Sequence, residues 1–401
     1  MVEQDNWNIN NRIRILWHSN APWAPTGYGN QTALIVPRLQ KHYDMAISAF
    51  YGLEGGMQLL NGIPIYPKGE TAYGADVIGL YSAAFNADIS ITLIDAWVLN
   101  SRMMGNARAK WVPYYPVDAS PVPIEVFKAV NQAFDRIVMS KFGERETNNA
   151  GLSCHYCPHG IDTKVFYPED QMTVRKKLAQ AVGWNPDAFL VGMVAANNGL
   201  PSRKSFEPAL RAFAEFKGKH SDAQFYIHTY ANGDNRRMAA NIPELIRHFG
   251  LTLGRDVFLP DPGALWLGFG NDFMRMIYSA FDVHLLPSMG EGFGIPIVEA
   301  QACGCPVIVG DWTAMPELCF SGWKIPQSEA EPFWIPQGGY QYLVRAGAIV
   351  DALESAYTVR GNQEYRERAR DGARMYDIDR VIEKHWLPTL QKIMERVEAS
   401  K

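Results

Sequence analysis

Two carboxylates, Glu291 and Glu299, stand eight positions apart around the run Gly292-Phe293-Gly294-Ile295-Pro296. Glycine at 292 and 294 lets the backbone come close to a ligand, and Pro296 suits a first helical turn, where its missing N–H costs nothing. A helix starting there offers unpaired N–H groups and the positive end of its dipole to an anion such as a diphosphate. Eight helical steps amount to about 800°, which leaves the two carboxylates about 80° apart even if both were helical. They read better as two reaches from one junction, Glu291 from the turn and Glu299 from the helix. Each ionised group only accepts hydrogen bonds, which suits a sugar hydroxyl at one and a ribose hydroxyl at the other. A lone pair at this spacing would read as a solvated turn residue and a solvent-facing helix residue.

Elements on either side must position the turn. The stretch 280–288 reads as a short buried strand stopped by Pro287-Ser288, and 298–304 as a helix ended by Gly304. Strands alternate with helices along the chain, which implies parallel sheets covered by helices. A first series has a strand at 13–17, a loop at 18–29, a helix from about 30 to 41, and strands at 89–94 and 136–140. A second has strands at 189–194, 223–228, 257–259, 282–286 and 306–309. Two series imply two Rossmann-like domains joined near 166–173, with substrate between them.

The run 286–309, with Pro-Ser, Glu-Gly-Phe-Gly, the second Glu and Ala302-Cys303-Gly304-Cys305-Pro306-Val307-Ile308, closely resembles the donor-site signature of the retaining glycosyltransferases of family 4. Cys157-Pro158-His159-Gly160-Ile161-Asp162-Thr163-Lys164-Val165-Phe166-Tyr167-Pro168 is similar to that family's Pro-Asn-Gly-Val-Asp-x-x-x-Phe-x-Pro element, with His159 where Asn is usual, and Pro316-Glu317-Leu318 to its later Pro-Glu segment. The recognisable part covers roughly 138–320. The resemblance implies an α/β chain of the GT-B fold, two Rossmann-like domains with parallel sheets facing a central cleft. Residues 1–168 would form the acceptor-side domain, completed by a C-terminal helix at 379–401, and residues 169–378 the nucleotide-sugar donor domain.

It also implies roles. Glu291 would hold the donor sugar with the amides of Gly292, Phe293 and Gly294, and Glu299 the ribose. In Asn197-Asn198-Gly199-Leu200-Pro201-Ser202-Arg203-Lys204, Lys204 matches the family's phosphate-binding Lys; Asn198 stands where the upstream Arg would be, and Arg203 would supply that charge. A solvated basic turn is the alternative. Pro25-Thr26-Gly27-Tyr28-Gly29-Asn30 resembles the first Gly-rich loop, so Gly27 and Gly29 would face the donor phosphates, unless they serve a plain tight turn. His18, Trp23 and Tyr28 are candidate acceptor contacts. The family's His near the reacting carbon is absent from 111–120; Asp118 is the nearest polar substitute, for stabilising an oxocarbenium-like sugar or contacting the acceptor, or else it caps the turn into Pro121. Ser140-Lys141-Phe142 is similar to a Ser-x-Phe after the last strand of domain one.

The expected enzyme is a hexosyl- or pentosyltransferase, retaining and metal-independent, with no cofactor. Its donor is a nucleoside-diphosphate sugar, UDP ahead of GDP. The acceptor could be a glycan, lipid-linked sugar, protein, small molecule or modified nucleic-acid base. Asp377-Ile378-Asp379 spells the D-x-D of metal-dependent glycosyltransferases, but it lies far from the donor motifs and reads as a helix N-cap. Cys154-His155-Tyr156-Cys157 lacks the second ligand pair of a structural zinc site, and five cysteines argue for free thiols rather than a disulfide scaffold. A net charge of -4 over 401 residues gives no global sign of nucleic-acid or anionic-membrane binding. No stretch approaches the roughly 20 apolar residues of a membrane span, and 1–14 is too polar for a signal peptide, so the expectation is a cytoplasmic protein with no integral membrane segment. Two rival classes share these features: another GT-B sugar enzyme, such as a phosphorylase or nucleotide-sugar epimerase, and a non-catalytic nucleotide-sugar-binding protein.

Overall fold

Apolar runs such as Ile15-Leu16-Trp17 are hydrophobic at consecutive positions, so both faces of the strand they form must be covered. In the computed structural model, which describes residues 12–99, 109–233 and 238–400, this strand is β1 (Arg14–Asn20), buried at every position after the first. The chain divides into two units, Met1–Val117 with Val122–Gly160 and Ile378–Lys401, and Asp118–Pro121 with Ile161–Asp377.

The described residues of the first unit build one sheet from β1, β2 (Asp44–Tyr51), β3 (Gln58–Leu60), β4 (Ile63–Tyr66), β5 (Ile89–Leu93), β6 (Lys110–Tyr115), β7 (Ile137–Val138) and β8 (His155–Tyr156). The spatial order is β3-β4-β2-β1-β5-β6-β7-β8, parallel apart from the β3–β4 pair. Leu16 pairs with Ala46 on one side and Ser90 on the other, so the order reverses at β1/β5.

The expected helix at 30–41 starts earlier, at Gly27, and runs to Leu39, because the Thr26 side chain accepts from the Gly29 N–H at 3.0 Å and caps it. A Cβ on Gly29 would strike the Ala24 carbonyl, so this glycine permits close helix-to-loop packing. The strand expected at 136–140 is only two residues long, since Ser140 turns out to cap the helix Lys141–Asn149 through the Gly143 N–H at 3.0 Å. The terminal segment packs onto this sheet through Trp386, fully buried with its ring centroid 5.5 Å from Trp17 and 4.9 Å from Tyr114. It is helical at Ile378–Val381 and Leu387–Ala399, with a π turn at Ile382–Trp386 between them; Pro388 has no N–H for the carbonyl one turn back, which accounts for the break.

In the second unit β9 (Phe189–Val194), β10 (Ala223–His228), β11 (Val257–Phe258), β12 (Val283–Leu286), β13 (Val307–Gly310) and β14 (Gly322–Ile325) form a parallel sheet in the order β11-β10-β9-β12-β13-β14. The helix Phe206–Lys219 buries Phe206, Phe213 and Phe216 against it, and Phe216 meets Phe189 at 5.8 Å. Each such ring contributes about 2 to 3 kcal/mol on leaving water. A buried Arg175–Asp282 ion pair at 2.7 Å, with the Leu190 N–H donating to Asp282 at 2.7 Å, ties a covering helix to the sheet. β15 (Ala330–Ile335) and β16 (Gly339–Val344) form a separate antiparallel hairpin.

Candidate active site

In a parallel sheet ligands collect outside the carboxyl ends of the strands, where the strand order reverses. For the second unit that point is β9/β12: β9 leads outward to β10 and β11, and β12 leads the other way to β13 and β14. The loops leaving these two strands carry Arg203 and Lys204 on one side and Glu291 on the other.

The loop after β9 is pinned at Asn197, whose amide donates to the Tyr230 and Ala240 carbonyls at 3.1 and 2.7 Å and accepts from the Ala240 N–H at 3.0 Å. It ends at Ser205, whose φ of 57° turns the chain into the helix at Phe206. The two loops join where the Met289 N–H donates to the Arg203 carbonyl at 2.7 Å. A third loop, after β13, fixes Glu291 itself: its N–H donates to the Thr313 hydroxyl at 3.0 Å, and its carbonyl accepts from Ala314 at 3.3 Å. Thr313 holds φ at 54°, a cost that this anchoring role offsets.

Lys204 Nζ donates to Glu291 Oε1, and Arg203 Nη1 donates to the Gly290 carbonyl and, at 3.2 Å, to Glu291 Oε2. The Glu291 and Lys204 side chains are 7% and 14% exposed, Arg203 39%, so two cations enclose a carboxylate and one of them reaches solvent. Burial pushes the Glu291 carboxyl up, but Lys204 and Arg203, with the Ser288 hydroxyl beside it, hold it down at about 2. Burial, then the neighbouring guanidinium, lowers Lys204 to about 8 against the pull of Glu291. Near neutral pH Glu291 is an anion and Lys204 a cation, so Glu291 is unsuited to general acid catalysis and suited to orienting charge.

Asp118 joins this cluster rather than the first unit's sheet. Burial raises its carboxyl, with Arg203 opposing and Glu291 adding to the effect. Its position depends on Gly290, where a Cβ would strike the Asp118 carbonyl and stand 3.1 Å from the Gln341 side chain. The segment is held from outside by the hairpin, Ser120 N–H to Tyr340 carbonyl at 3.0 Å and the return bond at 2.8 Å.

The helix Ile295–Ala302 is capped at Gly294, with φ 118°, and carries Pro296 in its first turn, where a proline's missing N–H costs nothing. Phe293 is buried and meets Tyr376 at 5.5 Å. Glu299 accepts from the buried Tyr278 hydroxyl at 2.9 Å, and its surroundings push its carboxyl up to about 7 by burial, against that hydrogen bond. Asn198 is half-buried in the turn after Asn197. Other buried polar atoms in these elements lack a protein hydrogen-bond partner among the described residues, among them the Ser202 and Ser205 hydroxyls, Thr229 Oγ1 and His284 Nδ1. A polar ligand at the strand ends would give such groups partners.

The first unit carries the other candidates. Its own reversal, β1/β5, places the loop 21–26 and the helix start at Gly27 and Gly29 at the strand ends. Trp23 is 49% exposed, its Nε1 donating to the Gly52 carbonyl at 2.6 Å; Tyr28 is half-buried. His18 departs from expectation: it is fully buried, Nε2 donating to the Tyr73 carbonyl and Nδ1 accepting from Ser48, each at 2.9 Å. Burial lowers it to about 4, so it is a neutral core residue and not an acceptor contact. His159 is likewise buried, its Nδ1 taking the Tyr114 hydroxyl at 2.7 Å. Asp377 accepts from the Thr163 N–H at 3.4 Å and Asp379 pairs with Arg38 at 2.6 Å, so the two carboxylates of the D-x-D serve separate contacts. Burial pushes Cys154 and Cys157 up to about 12, leaving both as thiols.

Thr313, Gly290 and Gln341 were not identified by motif reading. The hairpin had a signal, two aromatic-rich runs around Gly338-Gly339.

Two parallel sheets, each with loops at its own order reversal, define the GT-B class. A sucrose-phosphate synthase from Thermosynechococcus elongatus superposes with a TM-score of 0.73 at 15% identity, covering 97% of this chain and 100% of that one. Anabaena HepE, solved with UDP-glucose, gives 0.68 at 16% identity, with 97% and 100% covered. Residues 188–376, just under half of the chain, match the family model described as glycosyl transferases group 1. The "uncharacterized glycosyltransferase 335" of Sulfolobus islandicus rod-shaped virus 1 is 25% identical over 66% of this chain and 76% of its own. A Corynebacterium glutamicum protein named as a GDP-mannose-dependent phosphatidylinositol monomannoside mannosyltransferase is 27% identical over 48% of this chain and 46% of its own, so the chain spans about half the length of that relative. No described helix is long and apolar enough to cross a membrane.

Proposed function

We propose that this chain transfers a sugar from a nucleoside-diphosphate sugar to a hydroxyl acceptor with retention and without a metal ion, UDP being the nucleotide ahead of GDP. The Lys204–Glu291–Arg203 cluster at the β9/β12 reversal carries the reading. A departing diphosphate needs its charge neutralised, and preorganised cations meet that need without reorganisation during the reaction. Lys204 and Arg203 take the diphosphate oxygens, helped by the N-terminus of the helix Ile295–Ala302. Glu291, fixed as a carboxylate, aims both cations and accepts a donor-sugar hydroxyl, while the amides at Gly292, Phe293 and Gly294 hold the sugar. Glu299 accepts from the ribose hydroxyls. Asp118 lies close enough to this cluster to feel its charges, which suits stabilising positive charge on the sugar carbon. Gly27 and Gly29 serve the donor phosphates from the first unit, and Trp23 and Tyr28 the acceptor. The nucleotide sugars named with HepE and with the Corynebacterium relative support the donor class. Cysteine usage is in keeping with a cytoplasmic location.

The test is a panel of UDP- and GDP-sugars incubated with the protein in excess EDTA, with product anomers read by proton NMR. Donor turnover in EDTA and an α-linked product from an α-linked donor are expected. Loss of turnover restored by manganese or magnesium would contradict the metal-free reading, and a β-linked product would contradict retention.

A further inference from the structure

The hairpin β15–β16 is tied to the site along its second strand. Tyr340 exchanges both backbone hydrogen bonds with Ser120, two residues from Asp118, and the Tyr342 N–H donates to the Met289 carbonyl at 2.8 Å. Gln341 lies between these two anchors and pairs with Phe333 across the hairpin, so its backbone is held on both edges.

Successive side chains of a strand point to opposite faces, and that of Gln341 takes the face turned to the site. Its Cγ and Nε2 stand 3.1 Å from where a Cβ on Gly290 would be, a position that the Asp118 carbonyl also crowds. Gly290 in turn gives its carbonyl to Arg203 Nη1 and is followed by Glu291. One residue without a side chain is thus enclosed by the Gln341 amide, the Asp118 backbone and the guanidinium of the cluster, all within the second unit.

Gln341 is 4% exposed, and its carboxamide makes no hydrogen bond among the described residues. A buried amide without partners is unfavourable, and an apolar side chain of similar size would fill the place without that cost. The amide is uncharged, so it does not neutralise a diphosphate, a task that falls to Lys204 and Arg203. It carries two N–H donors and an acceptor, whereas Glu291, as an anion, only accepts. A sugar hydroxyl that gives its proton to a carboxylate keeps lone pairs, and an N–H donor suits them.

We infer that Gln341 is a further donor-binding residue, its carboxamide hydrogen-bonding a hydroxyl of the transferred sugar beside Glu291 and so contributing to the choice of sugar. The assignment rests on the transfer reaction proposed above.

Calorimetric titration in EDTA compares UDP, UDP-glucose, UDP-galactose, GDP and GDP-mannose with wild type, Gln341→Leu and Gln341→Met, and thermal unfolding is followed for each protein. For a nucleotide sugar that wild type binds, either variant should lose affinity roughly fivefold, the scale of one neutral hydrogen bond, and keep wild-type affinity for the parent nucleotide. Both variants should unfold at the wild-type temperature or higher, since an unpartnered amide has been replaced by an apolar group. A lowered Tm with all affinities unchanged would make Gln341 a packing residue and overturn the inference. Equal losses for nucleotide and nucleotide sugar would overturn the sugar assignment, as would a wild type that binds a nucleotide but none of the nucleotide sugars. Reduced transfer with unchanged nucleotide-sugar affinity would put Gln341 on the acceptor instead, against the inference. A wild type that binds none of the five ligands contradicts the donor reading and this inference with it, whereas variants that match a binding-competent wild type contradict this inference alone.

Discussion

Lys204 and Glu291, 87 positions apart in the chain, form one ion pair across the loops that leave β9 and β12. Burial penalises both charges: for Glu291 the two cations outweigh that penalty, whereas Lys204, beside Arg203, stays below its ordinary value despite Glu291. The pair therefore gives little net stability, and its value lies in placed charge.

Breaking the pair from one side should cost more than removing both charges. Lys204→Met is expected to lose about 3 kcal/mol in urea unfolding because a buried carboxylate is left with one cation. Adding Glu291→Gln should recover about half, a coupling of about 1 to 3 kcal/mol. Additive losses in the cycle would show that the two groups do not interact in solution.

Glu299 predicts a pH dependence. Its carboxyl is raised from 4.5 to about 7 in the folded protein. Between those values the unfolded chain releases the proton and the folded chain keeps it, so its contribution is full below 4.5 and is lost as pH rises through 7. Glu299→Gln should remove this slope from pH-dependent unfolding. The ratio of UDP affinities, wild type over Glu299→Gln, should rise through pH 7 as the acceptor ionises, while Lys204 and the UDP phosphate titrate alike in both proteins. Parallel pH profiles would take Glu299 out of the ribose site.

Asp118 should separate chemistry from donor binding. Asp118→Asn is expected to lower kcat roughly 10- to 100-fold with the UDP Kd unchanged, consistent with a group needed when charge develops. Gly290→Ala should reproduce part of that loss by displacing the Asp118 carbonyl. A normal kcat in Asp118→Asn would leave it only the role of a turn residue.

A strand such as β9 was legible to the residue because a continuous apolar run with flanking turn residues has no other good packing. Glu291, Lys204 and Glu299 were legible as residues of interest through motif spacing. Their geometry was not, since it depends on Ser205 and Thr313 adopting positive φ, which neither residue type signals. Asp118 was expected with the first half of the chain. It stands with the second because Ser120 pairs with Tyr340 and Gly290 allows the close approach, contacts more than a hundred positions apart that no local pattern encodes. His18 looked polar and available next to a Gly-rich loop, and only the packed sheet shows both nitrogens occupied.

The most direct test of the central claim, that the β9/β12 cluster holds the donor diphosphate, is calorimetric titration of UDP into wild type and Lys204→Ala in EDTA. The account predicts a loss of about 10- to 100-fold in affinity, the scale of one charge-assisted hydrogen bond, partly regained in Lys204→Arg and in Lys204→Ala combined with Asn198→Arg. A folded Lys204→Ala protein that binds UDP with wild-type affinity would contradict it.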